Sequence, residues 1–328
     1  MLRPQRMKDF WSIIFASWKR TCITLFKILV PVSIIVKVLQ MTGWIEYVAV
    51  FFDPMMRLLG LPGEMSLVLA SAVFGNVYSG LLTFFSIETA VPLTTAQVTI
   101  VFAAILVAHN FLVEVAVTYK AGFRIIPMVL LRLVMAVLMG LFLKYFYLLT
   151  GWLQEPARLI VAPMAGQASL WLWAWGEVKK YVVIAAVILL LIAFLEVLKR
   201  TGVMDKFTQW IRPAVRLIGM NECIIPTTLI GLTLGLAYGG ALIIEESKRP
   251  DVRQRDVAYS LFLMAIYHSL IEDTMLMVAM GGHWSGIIVL RTIFAFFMTW
   301  LFIRLTRRWS DEKMEKWITV HPKQPVLE

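Results

Sequence analysis

Ionisable side chains inside long apolar stretches are the residues of this 328-residue sequence best suited to chemistry. Two such stretches each carry a histidine, then an amide or hydroxyl side chain, then carboxylates. The residues are His109, Asn110 and Glu114 in one stretch, and His268, Ser269, Glu272 and Asp273 in the other. Imidazole and carboxylate groups can hydrogen-bond a polar solute, carry a proton or ligate Fe²⁺ or Zn²⁺. Because ionisable groups are costly inside a membrane, we interpret both groups as candidate site residues.

The spacing of these residues predicts how they face one another. His268 and Glu272 are four positions apart in the sequence and would share one face of a helix. His109 and Glu114 are five positions apart and would face less similar directions. Spacing alone therefore predicts a closer histidine–glutamate pair in the second stretch than in the first.

Two arginines lie at comparable depth in the apolar stretches that follow. We expect Arg132 to pair with Glu114, and Arg291 to pair with Glu272 or Asp273. A buried charge needs a partner, so such pairs can simply neutralise the charges and hold adjacent helices together. A role in coupling an ion to transport is the alternative interpretation.

Two glycine-rich segments interrupt other apolar stretches at corresponding places. Their residues are Gly75, Asn76, Tyr78, Ser79 and Gly80 in the first, and Gly235, Tyr238, Gly239 and Gly240 in the second. Glycine lets a helix stop and the backbone turn, so freed amides could face a ligand. The competing interpretation is that small residues only allow helices to pack closely. Because the segments are paired and each holds a tyrosine, we favour a substrate site.

The elements that must position these residues are membrane helices. Sixty per cent of the residues are hydrophobic and 16% are charged, and a span needs about 20 apolar residues. Apolar runs near that length cover 21–42, 65–85, 98–118, 125–149, 181–198, 224–244, 257–280 and 286–303. Backbone groups exposed to lipid must be satisfied within the segment, so the predicted fold class is all-α. The net charge of +10 lies in short loops, which indicates membrane orientation rather than nucleic-acid binding.

An internal repeat divides the chain into two halves. A constant shift pairs Pro54 with Pro213, Gly60 with Gly219, His109 with His268, Glu114 with Asp273, and Arg132 with Arg291. Apolar segments align by chance, but these residue types do not. The predicted organisation is a basic cytoplasmic N-terminus (1–20), repeat one (21–150), a linker (151–178), repeat two (179–308) and a polar cytoplasmic tail (309–328) that frays.

The distribution of lysine and arginine predicts the orientation of the halves. If runs 65–85 and 224–244 each enter and leave on the same side, most of the basic residues lie on the cytoplasmic side. Each repeat then has three spans, a re-entrant helical hairpin and one interfacial helix, at 44–60 and 203–219. Since three crossings are an odd number, the two repeats are inverted in a bacterial-type inner membrane.

The glycine–tyrosine–glycine hairpins, the histidine followed by a carboxylate and the inverted duplication resemble the nucleoside-recognition or Gate domain family. Its relatives are similar to the membrane parts of concentrative nucleoside transporters, ferrous-iron transporters and spore maturation membrane proteins. The resemblance implies two Gate-like repeats with a substrate or ion held where the hairpins meet. It would place Asn76, Tyr78, Ser79, Tyr238 and both histidine–acid groups there. No GxxxxGK[ST] phosphate loop is present, so no GTPase is expected in this chain.

These observations predict a transporter of a small polar solute bound at the membrane midplane, and the family resemblance implies a nucleoside-like one. A divalent-metal permease for Fe²⁺ or Zn²⁺ and a non-transporting scaffold stay open as alternatives. No HExxH, GxSxG or CxxC motif is present, so catalysis is not expected and no cofactor is predicted. The expected partners are the lipid bilayer and a small molecule or ion, without nucleic acid; a homo-oligomer or membrane partner is left open.

Overall fold

The computed structural model describes residues 11–19, 54–87, 91–159, 169–249 and 252–320, with scattered positions between 22 and 42. Within these residues the fold is all-helical, as predicted, with two isolated β-bridges between loops. The helices are α1 (Met65–Phe74), α2 (Val77–Ser86), α3 (Thr95–Val107), α4 (Phe111–Lys120), α5 (Ile125–Thr150), α6 (Leu170–Arg200), α7 (Val203–Leu217), α8 (Ile225–Leu234), α9 (Leu236–Glu246), α10 (Gln254–Ile266), α11 (Glu272–Ala279), α12 (Arg291–Thr306) and α13 (Asp311–Trp317). A π-helical turn, Ser285–Leu290, leads directly into α12.

Three described helical segments are long and apolar enough to cross a membrane: α5, Leu170–Leu198 within α6, and Ser285–Thr306. A fourth span results if α3 and α4, which are bent by 40° at their junction, are counted as one. The predicted run at 21–42 falls largely outside the described residues. Helix α6 begins at Leu170, inside the predicted linker, and α7 forms at the second predicted interfacial helix.

The two glycine-interrupted runs each form a pair of short helices. Helix α2 folds back along α1 and packs closely against it, since a Cβ atom added to Gly80 would lie only 2.8 Å from the Ala72 Cβ and 3.4 Å from the Val68 carbonyl oxygen, which leaves room for glycine alone. In the second run, α8 ends at Gly235, whose φ of +86° suits glycine, and α9 packs against α8. We call α1–α2 and α8–α9 the first and second helix pairs.

Runs 98–118 and 257–280 were expected to be continuous helices, and this expectation is wrong. The first is interrupted at 108–110 between α3 and α4, and the second at 267–271 between α10 and α11. Each interruption contains a non-glycine residue with positive φ, Asn110 at +54° and Ser269 at +49°. We call these segments the first and second breaks.

Hydrogen bonds to the helix pairs compensate for the lost helical bonds. The Asn110 amide donates to the Ala72 carbonyl oxygen at 2.9 Å, and the Leu270 amide donates to the Leu232 carbonyl oxygen at 2.9 Å. Backbone groups buried away from water need such partners, so each break depends on its own helix pair. The same construction in both halves is the structural counterpart of the sequence repeat.

Loops gather at the two ends of α5. At the Arg124 end, the Arg124 amide donates a hydrogen bond to the Ile318 carbonyl oxygen, and the Val320 amide donates one to the Gly122 carbonyl oxygen. Near Thr150, the amide of Thr95 donates to the Glu155 carbonyl at 3.0 Å and that of Ala157 donates to Leu93 at 2.9 Å. His283 joins this second group through a 2.9 Å bond from its amide to Thr99 Oγ1. The loops around 91–95, 153–157 and 283 therefore lie at one end of α5, and 122–124 and 318–320 lie at the other.

The predicted frayed tail is instead partly helical. Ser310 Oγ accepts a hydrogen bond from the Lys313 amide at 3.2 Å and so caps the start of α13. The Arg124 Nε donates to the carbonyl oxygens of Glu315 and Thr319 near the end of α13. Arg255 lies 2.5 Å from the Asp311 carboxylate. Capping and these contacts order the tail up to residue 320, and 321–328 lie outside the described residues.

Candidate functional site

The two breaks meet at their histidines. The Nε2 atoms of His109 and His268 are 3.3 Å apart although the residues are 159 positions apart in the chain. The ring centroids are separated by 4.9 Å, with 41° between the ring planes. His109 is 5% exposed and His268 is 1% exposed. Both repeats therefore contribute one equivalent side chain to a single buried point.

A backbone carbonyl orients each ring in the same way. His109 Nδ1 lies 3.0 Å from the Ile105 carbonyl oxygen, and His268 Nδ1 lies 2.8 Å from the Met264 carbonyl oxygen. A carbonyl oxygen only accepts, so each Nδ1 carries the hydrogen that it donates. In a neutral imidazole this assignment leaves a lone pair on Nε2, and both lone pairs point into the shared space.

Two carboxylates complete this space. Glu114 Oε1 lies 3.1 Å from His268 Nε2 and 3.4 Å from His109 Nε2, and Asp273 Oδ2 lies 3.7 Å from His109 Nε2. Both carboxylates are buried. We call His109, His268, Glu114 and Asp273 the central cluster. Its facing atoms are all acceptors when the rings are neutral, so the arrangement suits a proton or a cation.

Arg132 lies behind Glu114, where the sequence predicted it. Its Nη1 is 2.5 Å from Glu114 Oε2, and its Nε donates to the Val107 carbonyl oxygen at 3.0 Å. The guanidinium also lies over the Phe111 ring, 4.8 Å from the centroid. These contacts fix the Glu114 carboxylate so that Oε1, rather than Oε2, faces the histidines.

Arg291 does not repeat this pairing, and the predicted contact with Glu272 or Asp273 is absent. Its Nη1 donates to Thr274 Oγ1 at 3.1 Å and its Nη2 donates to the His268 carbonyl oxygen at 3.3 Å. Among the residues that the structure describes, no carboxylate oxygen lies within the 4.0 Å ion-pair distance of Arg291. Thr274 and the backbone of the second break take the place of the carboxylate, and Asp273 approaches His109 instead.

The prediction that His268 and Glu272 share a helix face is also wrong. His268 lies in the second break, and α11 begins only at Glu272. The His268 imidazole approaches Glu114 of the other repeat, whereas Glu272 Oε1 accepts a hydrogen bond from the Tyr78 hydroxyl at 3.4 Å. The break therefore redirects the histidine across the interface between repeats.

Of the predicted binding residues of the first helix pair, Gly75 and Asn76 form the turn between its helices, and Tyr78, Ser79 and Gly80 lie in α2. Asn76 Oδ1 accepts from the Ser79 amide at 3.0 Å and from Ser79 Oγ at 3.2 Å, and so caps α2. A Cβ atom on Gly75 would lie 2.5 Å from Ser79 Oγ. Gly80 lies inside α2 against α1, so close packing rather than a freed amide explains it. Tyr78 hydrogen-bonds Glu272 at the start of α11, directly after the second break.

The second helix pair packs closely against the second break and against α4. A Cβ atom on Gly235 would lie 2.6 Å from Ser269 Oγ, and one on Gly240 would lie 2.2 Å from Val117 Cγ1 in α4. Gly240 lies inside α9, so the freed backbone expected there is not found. The structure does not describe the surroundings of the Tyr238 side chain or of Gly239.

Sequence reasoning missed Thr274 and the carbonyl groups that orient the histidines. A threonine within an apolar helix is common, and no feature of the sequence marks it as a partner of Arg291. The carbonyls of Ile105 and Met264 could have been anticipated, because each lies four residues before its histidine, at the distance of one helical turn.

Comparisons with known proteins agree with the predicted resemblance. Residues 22–121 match the Gate family model, described as "Nucleoside recognition", a range that contains the first helix pair, His109 and Glu114. The chain is 24% identical over 315 residues to "Uncharacterized membrane protein YvoD" of Bacillus subtilis (strain 168), covering 94% of this chain and 99% of that protein. No solved structure matches the chain significantly. The resemblance to the Gate family is thus confirmed over residues 22–121, and the chain is similar to a membrane protein over 94% of its length.

Proposed function

We propose that this protein is a membrane transporter that passes a small polar solute or ion through the point where the two breaks meet. The observation that carries the proposal is the 3.3 Å approach of His109 Nε2 and His268 Nε2 among buried carboxylates. Broken helices that meet between two repeats are typical of transporter binding sites. The Gate match and the similarity to a membrane protein support this class.

The inverted topology belongs to the same proposal. The loop at 122–124 contacts the tail at 318–320 at one end of α5, and the loop around Leu93 contacts 155–157 at the other. If all eight predicted runs crossed the membrane, 122–124 and the tail would lie on opposite sides. The observed contacts therefore favour three spans and a re-entrant helix pair per repeat, with both termini in the cytoplasm of a bacterial-type cell.

The alternative of a purely structural scaffold accounts less well for the central cluster. The pair between Arg132 and Glu114 would serve a scaffold, since it neutralises two buried charges. Two imidazole lone pairs directed at each other and at Glu114 would not, because facing acceptors without a donor repel one another. A site that takes up a proton or cation removes this conflict.

The cargo is proposed to be small and polar. The family description "Nucleoside recognition" supports a nucleoside-like solute, although Asn76 and Ser79 are engaged in the turn of the first helix pair. The central cluster favours a divalent metal ion as a second candidate, because it offers two imidazole and two carboxylate groups. In both cases the site lies at the breaks rather than at the glycine turns.

Uptake into proteoliposomes tests the proposal. We expect the purified protein to take up at least one member of a panel of radiolabelled nucleosides, small acids and divalent metal ions. His109→Gln and His268→Gln should reduce that uptake. His283→Gln, which changes a histidine outside the central cluster near the Thr150 end of α5, should not. Absence of uptake across the panel, or equal loss in all three variants with folding intact, would contradict a transport site at the breaks.

A further inference from the structure

We infer that the central cluster binds one divalent transition-metal ion, with His109 Nε2, His268 Nε2, Glu114 Oε1 and Asp273 Oδ2 as ligands. The inference rests on the proposed function in naming the ion as the transporter's cargo. The binding site itself is argued from geometry that does not depend on transport.

The distances among three of the four proposed ligand atoms match those of a tetrahedral metal site. Ligands about 2.0–2.1 Å from a central ion at the corners of a tetrahedron are separated by roughly 3.3–3.4 Å. The two Nε2 atoms are 3.3 Å apart, and Glu114 Oε1 is 3.4 Å from one and 3.1 Å from the other. These three atoms form one face of such a tetrahedron.

Asp273 supplies the fourth corner. Its Oδ2 is 3.7 Å from His109 Nε2, and ligand atoms of His109, His268 and Asp273 all lie within 4.8 Å of one another. The 3.7 Å between Asp273 Oδ2 and His109 Nε2 exceeds the tetrahedral ligand separation, so ion binding would require the Asp273 carboxylate to move closer to the other three ligand atoms. The ligand set then comes from both repeats, so an ion would join α4, α11 and the two breaks.

The surrounding groups already hold the ligands in orientations suited to a metal. Metal-bound histidines commonly donate their second ring N–H to a carbonyl or carboxylate. His109 and His268 do so to Ile105 and Met264. Arg132 engages Glu114 Oε2 and leaves Oε1 for the ion. These surrounding groups therefore determine that Nε2 of each histidine and Oε1 of Glu114 are the atoms available to the ion.

The donor set also indicates the class of ion. Imidazole nitrogen suits zinc, iron, cobalt and nickel, whereas calcium and magnesium prefer sites made of oxygen alone. Arg132 is buried against Glu114 and offsets the charge of that carboxylate. An ion is therefore held by coordination more than by net negative charge, which suits a cargo that must be released.

Cobalt spectroscopy on the full-length protein tests the site. Purified protein in detergent, stripped of metal and kept reduced, is titrated with Co²⁺, and visible absorption reports tetrahedral coordination. We expect one Co²⁺ per chain, displaced by Zn²⁺, without a thiolate charge-transfer band, since Cys22 and Cys223 lie outside the ligand set. His268→Gln and Asp273→Asn should each weaken binding at least tenfold, and His283→Gln should leave it unchanged.

The outcomes separate the site from the transport proposal. The metal site is refuted if Co²⁺ gives no tetrahedral spectrum, or if His268→Gln and Asp273→Asn both leave that spectrum intact in folded protein. A cluster whose side chains only share a proton would give this result. If metal is not bound but an organic solute is taken up, the proposed function stands and the metal inference fails. If Co²⁺ binds as expected but no panel member is taken up, the site stands and transport fails. Asp273→Asn, which preserves shape, keeps the test valid if a histidine variant does not fold.

Discussion

The two equivalent arginines should respond differently to the removal of a carboxylate. Arg132 lies 2.5 Å from Glu114, and both side chains are buried. Removing one member of a buried ion pair leaves an uncompensated charge and costs about 3–5 kcal/mol. Arg132→Met should therefore lower the free energy of unfolding by that amount. Adding Glu114→Gln removes the stranded charge, so the double variant should recover about 1–3 kcal/mol relative to the sum of the single changes.

Arg291 provides the matched control within the same chain. It occupies the equivalent position but donates to Thr274 Oγ1 and to backbone oxygens, without a carboxylate within ion-pair distance among the described residues. Arg291→Met should also destabilise, because charged hydrogen bonds contribute about 1.5–3 kcal/mol each. Asp273→Asn should not rescue it, and the two changes should add to within about 0.5 kcal/mol.

Equilibrium unfolding in mixed micelles, monitored by tryptophan fluorescence, measures these free energies for the four single and two double variants. Where unfolding is irreversible, the midpoint of thermal unfolding in one detergent gives the same ranking. Equal rescue in both cycles would mean that Arg291 pairs with Asp273 after all. If the changes in unfolding free energy at Arg132 and Glu114 are additive, the ion pair contributes nothing to stability. The expectation that a buried pair is costly to break would then be refuted.

Three further predictions concern the topology and packing of the chain. Single cysteines at Glu155 and Lys313, in protein without native cysteines, should be labelled from opposite sides of the membrane; labelling from one side would favour eight simple spans. Gly80→Val should cost about 1–3 kcal/mol by overpacking against Ala72, and adding Ala72→Gly should restore part of the midpoint of thermal unfolding; no recovery would argue against the close contact. Arg124→Ala should release α13 and speed tryptic cleavage in the tail, and an unchanged cleavage rate would show that its bonds to α13 are dispensable.

The helical class and the two helix pairs could be predicted because their causes are local. Apolar runs of sufficient length require helices in lipid, and glycine at 75 and 235 marks where each short helix ends. The positions of the turn residues were predicted, whereas their role in substrate binding stays a prediction. Sequence alone does not distinguish Asn76 facing a ligand from Asn76 capping α2, because the same side chain serves both purposes.

The two breaks could not be predicted because their causes are distant in sequence. No glycine or proline lies within 105–112 or 263–271, so local preference favours a continuous helix. The breaks are stabilised by the carbonyl groups of Ala72 and Leu232, which belong to the helix pairs. Their positions therefore depend on how the helix pairs dock, which no local pattern encodes.

The internal repeat predicts main-chain geometry better than it predicts charge pairing. Both halves share the hydrogen bond from histidine to a carbonyl oxygen, the positive φ in the break and the hydrogen bond from a backbone amide to a helix pair. These features need only the backbone and a histidine at the same position of each repeat. The carboxylates differ, because Glu114 is one methylene longer than Asp273 and reaches both histidines and Arg132. Asp273 has a shorter reach and, of the two histidines, lies within 4.0 Å of His109 alone. A symmetric backbone thus carries an asymmetric charge arrangement, and that asymmetry leaves one arginine bound to a carboxylate and the other bound to neutral oxygens.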